Sequence, residues 1–551
     1  MSETKSTVGL ELVRLLEEHG VDTVFGIPGV HTAELYRGLA KSAIRHVTPR
    51  HELDAGFMAD GYARASGKPG VCLLITGPGL TNAITAMGQA RADSIPMLVI
   101  SGINALDTHG HYRGYLHELP DQSALIRTIA LSSERLERPE DLADVVSRAF
   151  AAMRSGRPGP VHIEIPVNLM EAATWIEAAT TTQNCALPVA QPSAQAIAAA
   201  ADLCRTAREP LILAGGGAVW ADDAIRNLAE LLDAPVITTT NGRGLLAGHP
   251  LAVPASPSLE AVRALMRGSD LVIAIGTQFG PTDYDAYNDG GFVQPERLVR
   301  IDIDARAEDT SFPATVSIVA DAGVAATALA AALQGHDRPA GRPSAHERAA
   351  AARAAAQADL SDKMRSMIEV LGAIRDTLPG CTIVGDSTQL AYAGNLYWEA
   401  AAPRTWFNAS TGYGSLGYGP PAAIGVSIAL GKAPVVCVVG DGGFQFCLGA
   451  LGAAADESAP VIFVVWNNHG YQEIEDYMLS RDIEPVGVRP LAPDFTKIAS
   501  AYGIPSQRIR MTDGNDQNAL VPGGLDLEPF AAALRSARAG AGPALIEILT
   551  P

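Results

Sequence analysis

Two apolar runs of the sequence, each of which reads as a buried strand, end on oxygen-bearing side chains that are suited to bind a cation. Asp441 follows the run APVVCVVG, and Asn468 comes 27 positions later, after the run PVIFVVWN. That separation leaves room for one helix between neighbouring parallel strands, whose carboxyl ends meet at one edge of a sheet. A carboxylate and an amide oxygen at that edge suit Mg²⁺. Because Gly442 and Gly443 open the next helix, their N–H groups can face a phosphate, and we predict a metal-bridged diphosphate there.

The elements that must position these residues form three blocks of alternating strands and helices. Short apolar runs such as GVCLLITGPG and IPMLVISG alternate with amphipathic segments, which is typical of parallel sheets covered by helices on both faces. The pattern is interrupted at 172–196, which is rich in Thr, Pro and Gln, and again at 333–360, a linker followed by an Ala-rich helix. We therefore predict an α/β protein with three doubly wound parallel-sheet domains, at residues 1–171, 190–335 and 360–551.

Composition argues against several classes of function. The chain has 551 residues, of which 47% are hydrophobic, and its net charge of −19 argues against nucleic acid or an anionic membrane as partner. Six cysteines are scattered without CxxC spacing, so we expect buried thiols in a reducing compartment. The N-terminal segment lacks the apolar core of a signal peptide, and no stretch reaches the ~18 uncharged apolar residues of a membrane span. These features predict a cytoplasmic protein with no nucleic-acid or membrane partner.

The strings GDGG and NN together resemble the motif of thiamine diphosphate-dependent enzymes, in which GDG is followed some two dozen residues later by NN. The resemblance implies that Mg²⁺ is held by Asp441, Asn468 and a backbone oxygen at Gly470. It also implies that Leu416, in the string GYGSLGYG, is the bulky apolar residue that holds the cofactor in a V shape. The cofactor-binding residues predicted on this basis are Thr388, Gln389, Gly414, Leu416, Asp441, Gly442, Gly443, Asn468 and Tyr471.

The string HELDAGFMADGYARAS places Glu52 at the start of a helix in the first block. An acid in the first turn of a helix is favourable by itself, because it complements the helix dipole. The string also resembles the segment that carries the essential glutamate of these enzymes, which implies a catalytic role for Glu52 at the cofactor's pyrimidine ring. His31 lies in the string GIPGVH, which lines the active-site mouth in the family, and His117 takes the place of a glutamine of acetolactate-forming relatives. We include both as catalytic candidates.

The resemblance covers nearly the whole chain and implies decarboxylation of a 2-oxo acid to an aldehyde. The segment HGYQEIEDYM is expected to flank the substrate, and Ile474 stands where pyruvate decarboxylases carry a catalytic glutamate. Glu473, Glu475 and Asp476 crowd the same turn and are predicted to form an acidic rim that suits a cationic substrate tail. Other strings resemble the branch that contains 5-guanidino-2-oxopentanoate decarboxylase, which forms 4-guanidinobutanal.

Two other functions stay open at this point. One is an acetolactate synthase-like carboligase that joins two 2-oxo acids, although such enzymes have Phe-Gln-Glu where this chain has a string containing His117. The other is an inactive regulatory paralogue, against which the intact Glu52, Asp441 and Asn468 argue. FAD is not expected, because the string LILAGGGAVW lacks the full dinucleotide fingerprint.

Glu52 and the metal motif lie in different blocks. In enzymes of this family, the two blocks that meet at one cofactor come from different chains. The resemblance therefore implies a homodimer as the smallest active unit, and we predict a homotetramer with a small-molecule 2-oxo acid as its substrate.

Overall fold

Three parallel six-stranded sheets form the framework of the protein, which confirms the predicted fold class. The computed structural model describes residues 6–174, 189–284, 291–309, 312–335, 344–510 and 527–550. Parts of both predicted linkers, 175–188 and 336–343, lie outside the described residues, as does Cys185. The other five cysteines are buried free thiols. Within the described residues, no helix combines the length and the apolar character needed to cross a bilayer.

The first domain contains the sheet in the order β3-β2-β4-β5-β7-β6, and a short antiparallel pair, β1-β8, joins its beginning to its end. The strands are β1 (Ser6–Thr7), β2 (Thr23–Gly26), β3 (Arg45–Val47), β4 (Gly70–Leu74), β5 (Met97–Ile103), β6 (Ser132–Arg135), β7 (Pro160–Pro166) and β8 (Ala173–Thr174). The α-helices are α1 (Val8–Glu18), α2 (Ala33–Leu39), α3 (Glu52–Ser66), α4 (Pro78–Asp93), α5 (Gln122–Arg127), α6 (Leu142–Arg154) and α7 (Val167–Met170).

The central domain has the sheet order β11-β10-β9-β12-β13-β14. Its strands are β9 (Pro210–Ala214), β10 (Val236–Thr238), β11 (Ala252–Val253), β12 (Leu271–Ile275), β13 (Leu298–Asp302) and β14 (Val316–Val319). Its α-helices are α8 (Ala194–Thr206), α9 (Asp222–Leu232), α10 (Glu260–Arg267), α11 (Pro281–Tyr284), α12 (Ala322–Ala332) and α13 (Ala345–Asp359). The Ala-rich helix α13 belongs to this domain, because Ala349, Ala352 and Ala356 pack into its core.

The third domain has the sheet order β16-β15-β17-β18-β20-β19. Its strands are β15 (Thr382–Gly385), β16 (Trp406–Asn408), β17 (Val435–Gly440), β18 (Val461–Asn467), β19 (Ser506–Arg510) and β20 (Ala544–Leu549). Its α-helices are α14 (Asp362–Thr377), α15 (Gln389–Leu396), α16 (Gly419–Leu430), α17 (Asp441–Phe444), α18 (Ala450–Asp456), α19 (Gln472–Ser480), α20 (Phe495–Ala501) and α21 (Leu527–Ala539).

The first and third sheets share one strand order, and this order places their ligand sites. In the third sheet, β15 lies between the next two strands of the chain: β16 pairs with it on one side and β17 on the other. The same reversal lies between β2 and β4 in the first sheet. Doubly wound sheets bind ligands at the carboxyl ends of the strands where the order reverses. Each of these sheets therefore offers one such crevice.

Alternate strand residues enter different cores, as expected for sheets buried on both faces. In β17, for example, Val435 and Cys437 point into one core while Val436 and Val438 point into another. The core that receives Cys437 also receives α3 and the strands of the first domain, so the first and third domains share it. Glycines let α3 and α16 approach closely: a Cβ atom on Gly61 would lie 2.1 Å from a carbonyl oxygen of α16.

Candidate active site

The predicted metal ligands lie at the carboxyl edge of the third sheet. β17 and β18 are parallel neighbours, and Gly440 pairs with Trp466, so Asp441 and Asn468 leave the sheet side by side. Asp441 is fully buried, and within the described residues its Oδ2 atom has no hydrogen-bond partner. Burial raises the pKa of this carboxyl group, although backbone N–H groups, that of Asn468 among them, act in the opposite direction. A bound cation would compensate the buried charge.

Three oxygen atoms converge beside Asp441. In one orientation of the Asn468 amide, its nitrogen donates to Gln389 Oε1 at 3.2 Å. The Asn468 Oδ1 atom then faces two other oxygens. It lies 3.0 Å from the Gly470 carbonyl oxygen and 3.1 Å from Asp441 Oδ1. Adjacent ligands of an octahedral Mg²⁺ ion, bound at about 2.1 Å, are about 3 Å apart. The three oxygens therefore fit one Mg²⁺ ion, whereas the opposite amide orientation would instead place a nitrogen donor there.

The backbone at Gly470 is constrained to this geometry. Its φ angle is +150°, which residues with a side chain rarely adopt. A Cβ atom at this position would lie 2.3 Å from the carbonyl oxygen of Val488. Only glycine therefore fits, and the carbonyl of Gly470 is held beside Asp441 and Asn468.

Two loops around these oxygens present groups that suit a diphosphate. Thr388, in the loop after β15, and Gln389, the first residue of α15, are both buried, and Gln389 Nε2 is a buried donor with no partner within the described residues. Helices α15 and α17 begin at this edge of the sheet, so their first N–H groups lack partners in their own helices. The ring of Tyr471 packs on Gly442, where a Cβ atom would come within 2.5 Å of it. These donors fit an anionic cofactor next to the metal.

Leu416 lies in the loop that leads into α16. Gly414 and Gly417 flank it with φ angles of +77° and +78°, so the loop depends on glycine at both positions. Leu416 is half-buried, and its Cδ2 atom lies 3.6 Å from the place that a Cβ atom of Gly443 would take. The structure therefore brings Leu416 next to Gly443 of the segment 441–443, which we call the diphosphate loop.

Glu52 is the first residue of α3 and is half-buried. Its Oε2 atom accepts a hydrogen bond of 2.9 Å from the Asn82 amide. Two residues further on, Asp54 is only 2% exposed, and burial together with the charge of Glu52 raises its pKa to about 7. Two carboxyl groups thus share the start of α3, and the more exposed one is Glu52.

His31 and His117 lie together at the crevice of the first sheet. Their rings meet edge to face with centroids 5.4 Å apart, and His31 Nδ1 is 2.9 Å from Thr76 Oγ1. Burial lowers the pKa of His31, and the nearby His117 adds to this effect. The Nδ1 atom of His117 is buried without a partner in the described residues. Thr76 lies just before α4 and Asn82 within its first turns, so the segment from Thr76 to Asn82 contacts both His31 and Glu52.

The predicted acidic rim is not one cluster. Glu475 is 7% exposed and turned inward, where it forms an ion pair of 2.6 Å with Arg489. Asp476 pairs with Lys363 at 3.4 Å. Each of these two residues therefore already has a cation, and the acidic rim stays a prediction. Glu473, Ile474 and Asp476 are exposed, and Ile474 is 50% exposed.

The charge of Glu473 acts at the edge of the cofactor crevice. Burial raises the pKa of Tyr392 to about 12, and Glu473 and Asp386 add to this effect. Tyr392 belongs to α15, the helix that begins with Gln389. Glu473 therefore lies close enough to influence groups at the carboxyl edge of the third sheet.

Among the described residues, no hydrogen bond or ion pair within one chain joins Glu52 to Asp441, Asn468 or Gly470. The first and third domains contact each other close to Glu52, because Arg50, two residues before it, pairs with Asp456 at 2.7 Å and packs against Gly449. Glu52 follows a strand of the first sheet and Asp441 follows a strand of the third.

The third crevice lies at the carboxyl edge of the central sheet. A cavity of about 910 Å³ opens there between the domains and is lined by Gly216 and Gly217 of the string AGGG, together with Trp220 and Arg404. The guanidinium group of Arg404 lies 3.6 Å above the Trp220 ring. Nothing in this arrangement tests the prediction about FAD.

Asp386 was missed in the sequence analysis, although the string VGDSTQ that contains it supplied Thr388 and Gln389. It is fully buried at the end of β15 and contacts two of the loops described above. The signal was the same as for Asp441, an acid directly after a buried strand.

Comparisons with known proteins cover all three domains. The family described as "Thiamine pyrophosphate enzyme, N-terminal TPP binding domain" matches residues 6–125. The central domain of the same enzymes matches residues 197–333, and their C-terminal TPP binding domain matches residues 386–548.

Whole-length relatives agree with these matches. The chain is 44% identical over 503 residues to a Pseudomonas aeruginosa protein named "Probable 2-ketoarginine decarboxylase AruI", which covers 90% of this chain and 88% of the relative. It is 32% identical to a Methanocaldococcus jannaschii protein named "Probable acetolactate synthase large subunit", over 91% of this chain and 87% of the relative. It is 30% identical to the acetolactate synthase isozyme 3 large subunit of Escherichia coli, over 89% and 88%. The chain therefore belongs to the thiamine diphosphate-dependent enzyme family.

Proposed function

We propose that the protein is a Mg²⁺-dependent decarboxylase that converts 5-guanidino-2-oxopentanoate into 4-guanidinobutanal and CO₂. The observation that carries the metal site is the convergence of Asp441, the Asn468 side-chain amide and the Gly470 carbonyl, which brings three oxygens together when the amide nitrogen of Asn468 faces Gln389. The substrate is supported by the relative whose name contains 2-ketoarginine, since that is another name for 5-guanidino-2-oxopentanoate. Glu473, without a cation of its own among the described residues, supports a cationic substrate tail.

Bound thiamine diphosphate supplies a carbon nucleophile and an electron sink for the loss of CO₂. Asp441, Asn468 and Gly470 would hold Mg²⁺, and Gln389 Nε2 would donate to a diphosphate oxygen. Further cofactor contacts are assigned to Thr388, Gly414, Leu416, Gly442, Gly443 and Tyr471.

Residues of the first domain would hold or transfer protons and form hydrogen bonds to the substrate. Glu52 would hold a proton at the cofactor's pyrimidine nitrogen, with its carboxyl group oriented by Asn82. Because the pKa of His31 is lowered, its ring is neutral near pH 7 and can donate or accept a hydrogen bond. His31, fixed by Thr76, and its neighbour His117 would face the substrate.

A panel of 2-oxo acids tests the substrate directly. CO₂ release from each acid would be measured with Mg²⁺ and thiamine diphosphate present. We expect the guanidino acid to have the highest kcat/KM, and an aldehyde to form in equal amount. Faster turnover of an uncharged acid such as pyruvate would contradict the proposal.

An acetolactate synthase-like carboligase is the second candidate, because two of the relatives carry that name. Incubation with pyruvate alone separates the two functions. A carboligase would form one acetolactate for every two pyruvates consumed, whereas the decarboxylase would form no carbon–carbon bond.

Glu473→Gln is expected to lower kcat/KM for the guanidino acid by roughly 10- to 150-fold, the effect of losing one charged hydrogen bond. An uncharged 2-oxo acid of similar length should be affected much less. Asp476→Asn on the same helix is the matched control, because Asp476 is already paired with Lys363. Equal losses for both substrates would mean that Glu473 does not bind the substrate tail.

We also propose that each site combines Glu52 of one chain with Asp441 of another, in a homodimer or homotetramer. In a two-fold dimer, each chain then contributes Glu52 to one site and Asp441 to the other, so both sites are complete. Mixing inactive Glu52→Gln chains with inactive Asp441→Ala chains should restore part of the activity, because a mixed dimer has one intact site. If activity does not return although subunit exchange is shown by mass spectrometry, both residues of a site lie in one chain.

The domain limits 1–171, 190–335 and 360–551, the cytoplasmic location and the absence of FAD remain predictions. Flavin absorbance of the purified protein checks the last of them.

A further inference from the structure

Asp386 lies where three loops of the candidate site meet. Its Oδ1 atom accepts a hydrogen bond of 2.8 Å from the backbone N–H of Ser387, in its own loop. Its Oδ2 atom accepts one of 2.9 Å from Gly419, the first residue of α16. A Cβ atom on Gly443 would lie 2.9 Å from Oδ1, so the carboxylate also packs against the diphosphate loop.

The surroundings of Asp386 are unfavourable for its charge. It is fully buried, and none of the Lys and Arg residues that the structure describes forms an ion pair with it. Burial raises its pKa to about 6, against the opposing effect of the N–H groups of Gly419 and Ser387. A carboxylate beside a site for an anionic diphosphate would also repel that ligand. Direct diphosphate binding therefore does not account for an acid at this position.

The hydrogen bond from the N–H of Gly419 gives a different reason for a carboxylate at this position. Gly419 ends the loop that carries Leu416, and Gly417 in that loop has a positive φ angle. The loop is otherwise rich in glycine, so its shape needs an external anchor. Asp386 supplies one, because its Oδ2 atom accepts from Gly419 at the end of this loop, while Oδ1 accepts from Ser387 next to β15. The anchored loop then brings Leu416 next to Gly443.

We propose that Asp386 is a positioning residue, which holds the Leu416 loop in place against the diphosphate loop. It would act on the thiamine part of the cofactor through Leu416, and not on the diphosphate. The inference rests on the thiamine diphosphate site proposed above.

Calorimetry on the full-length protein at saturating Mg²⁺ tests this with two probes, thiamine diphosphate and inorganic pyrophosphate. In Asp386→Ala, we expect the Kd for thiamine diphosphate to rise about tenfold or more. The Kd for pyrophosphate should stay equal or fall, because a repelling charge has been removed. Asp386→Asn keeps the shape and one acceptor, so its loss should be smaller.

A second pair of variants checks the route through Leu416. Leu416→Ala should reproduce the selective loss, and adding Asp386→Ala to it should cost little more, since both act through one contact. Thermal melting without ligand shows whether each variant folds. If Asp386→Ala does not fold, the same comparison is made with Asp386→Asn.

Several outcomes would overturn the inference. Unchanged affinity of Asp386→Ala for thiamine diphosphate would show that Asp386 does not position the Leu416 loop for cofactor binding. Equal losses for both probes, or fully additive losses with Leu416→Ala, would show a general structural role. If the wild-type protein bound neither probe, the cofactor site itself would be wrong, and this inference with it.

Discussion

Asp441→Ala is expected to weaken Mg²⁺-dependent binding of thiamine diphosphate by more than about 100-fold. Loss of a group that only supports a metal ligand typically costs 10- to 100-fold, so loss of a ligand should cost more. Asp441 is fully buried, and one of its oxygens has no partner in the described residues. The two remaining oxygens, from Asn468 and Gly470, are neutral and cannot balance the charge of Mg²⁺.

The same substitution should leave the ligand-free protein as stable as before or more stable. Burial raises the pKa of Asp441, which means that the folded protein disfavours the charged carboxylate. Removing it takes away an uncompensated buried charge and leaves a small cavity. We therefore expect thermal melting without ligand at an equal or higher temperature, and no rise on addition of Mg²⁺ and cofactor.

Asp376→Ala is the matched control for Asp441→Ala. Asp376 belongs to the same domain, but its side chain is 70% exposed on α14, where it pairs with Arg375. This variant should keep wild-type affinity and the wild-type shift in melting temperature. If Asp441→Ala also kept them, the metal would be held elsewhere.

The fold and the metal site could be predicted because both depend on features that repeat along the sequence. Alternating apolar runs and helices indicate parallel sheets, and carboxyl ends of parallel strands share one edge. Asp441 and Asn468 therefore had to be neighbours once β17 and β18 were adjacent. Gly470 needed the resemblance to a family, because a backbone carbonyl has no signature in the sequence.

The ion pairs of the rim acids and the contacts of Asp386 join distant segments of the chain. Glu475 is neutralised by Arg489, 14 residues away, and Asp476 is paired with Lys363, 113 residues away. Asp386 gains its importance from the N–H of Gly419, 33 residues away. No periodicity or spacing indicates which loop folds back on which acid, so local sequence alone could not separate paired acids from Glu473.

Glu52→Gln is expected to keep the cofactor and to slow the exchange of its C2 proton for deuterium by about 10²- to 10⁴-fold, the usual contribution of one acid–base group. Glutamine has the shape of glutamate, and its amide oxygen can still accept the hydrogen bond from Asn82. The binding geometry should therefore survive, while the exchangeable carboxyl proton is lost. NMR of the bound cofactor after a short pulse in deuterium oxide measures the rate, and calorimetry measures the retained affinity.

Asp54→Asn is the control that makes this result specific to Glu52. Asp54 is the other carboxyl group at the start of α3, and its raised pKa of about 7 makes it the better proton carrier on that criterion alone. Glu52 is the more exposed of the two and lies beside Gly79, at the start of α4, three residues after Thr76, which contacts His31. If access to the cofactor decides the role, Asp54→Asn should retain most of the exchange rate. If Asp54→Asn abolishes exchange while Glu52→Gln does not, the buried carboxyl group is the one that matters and the assignment of Glu52 is wrong.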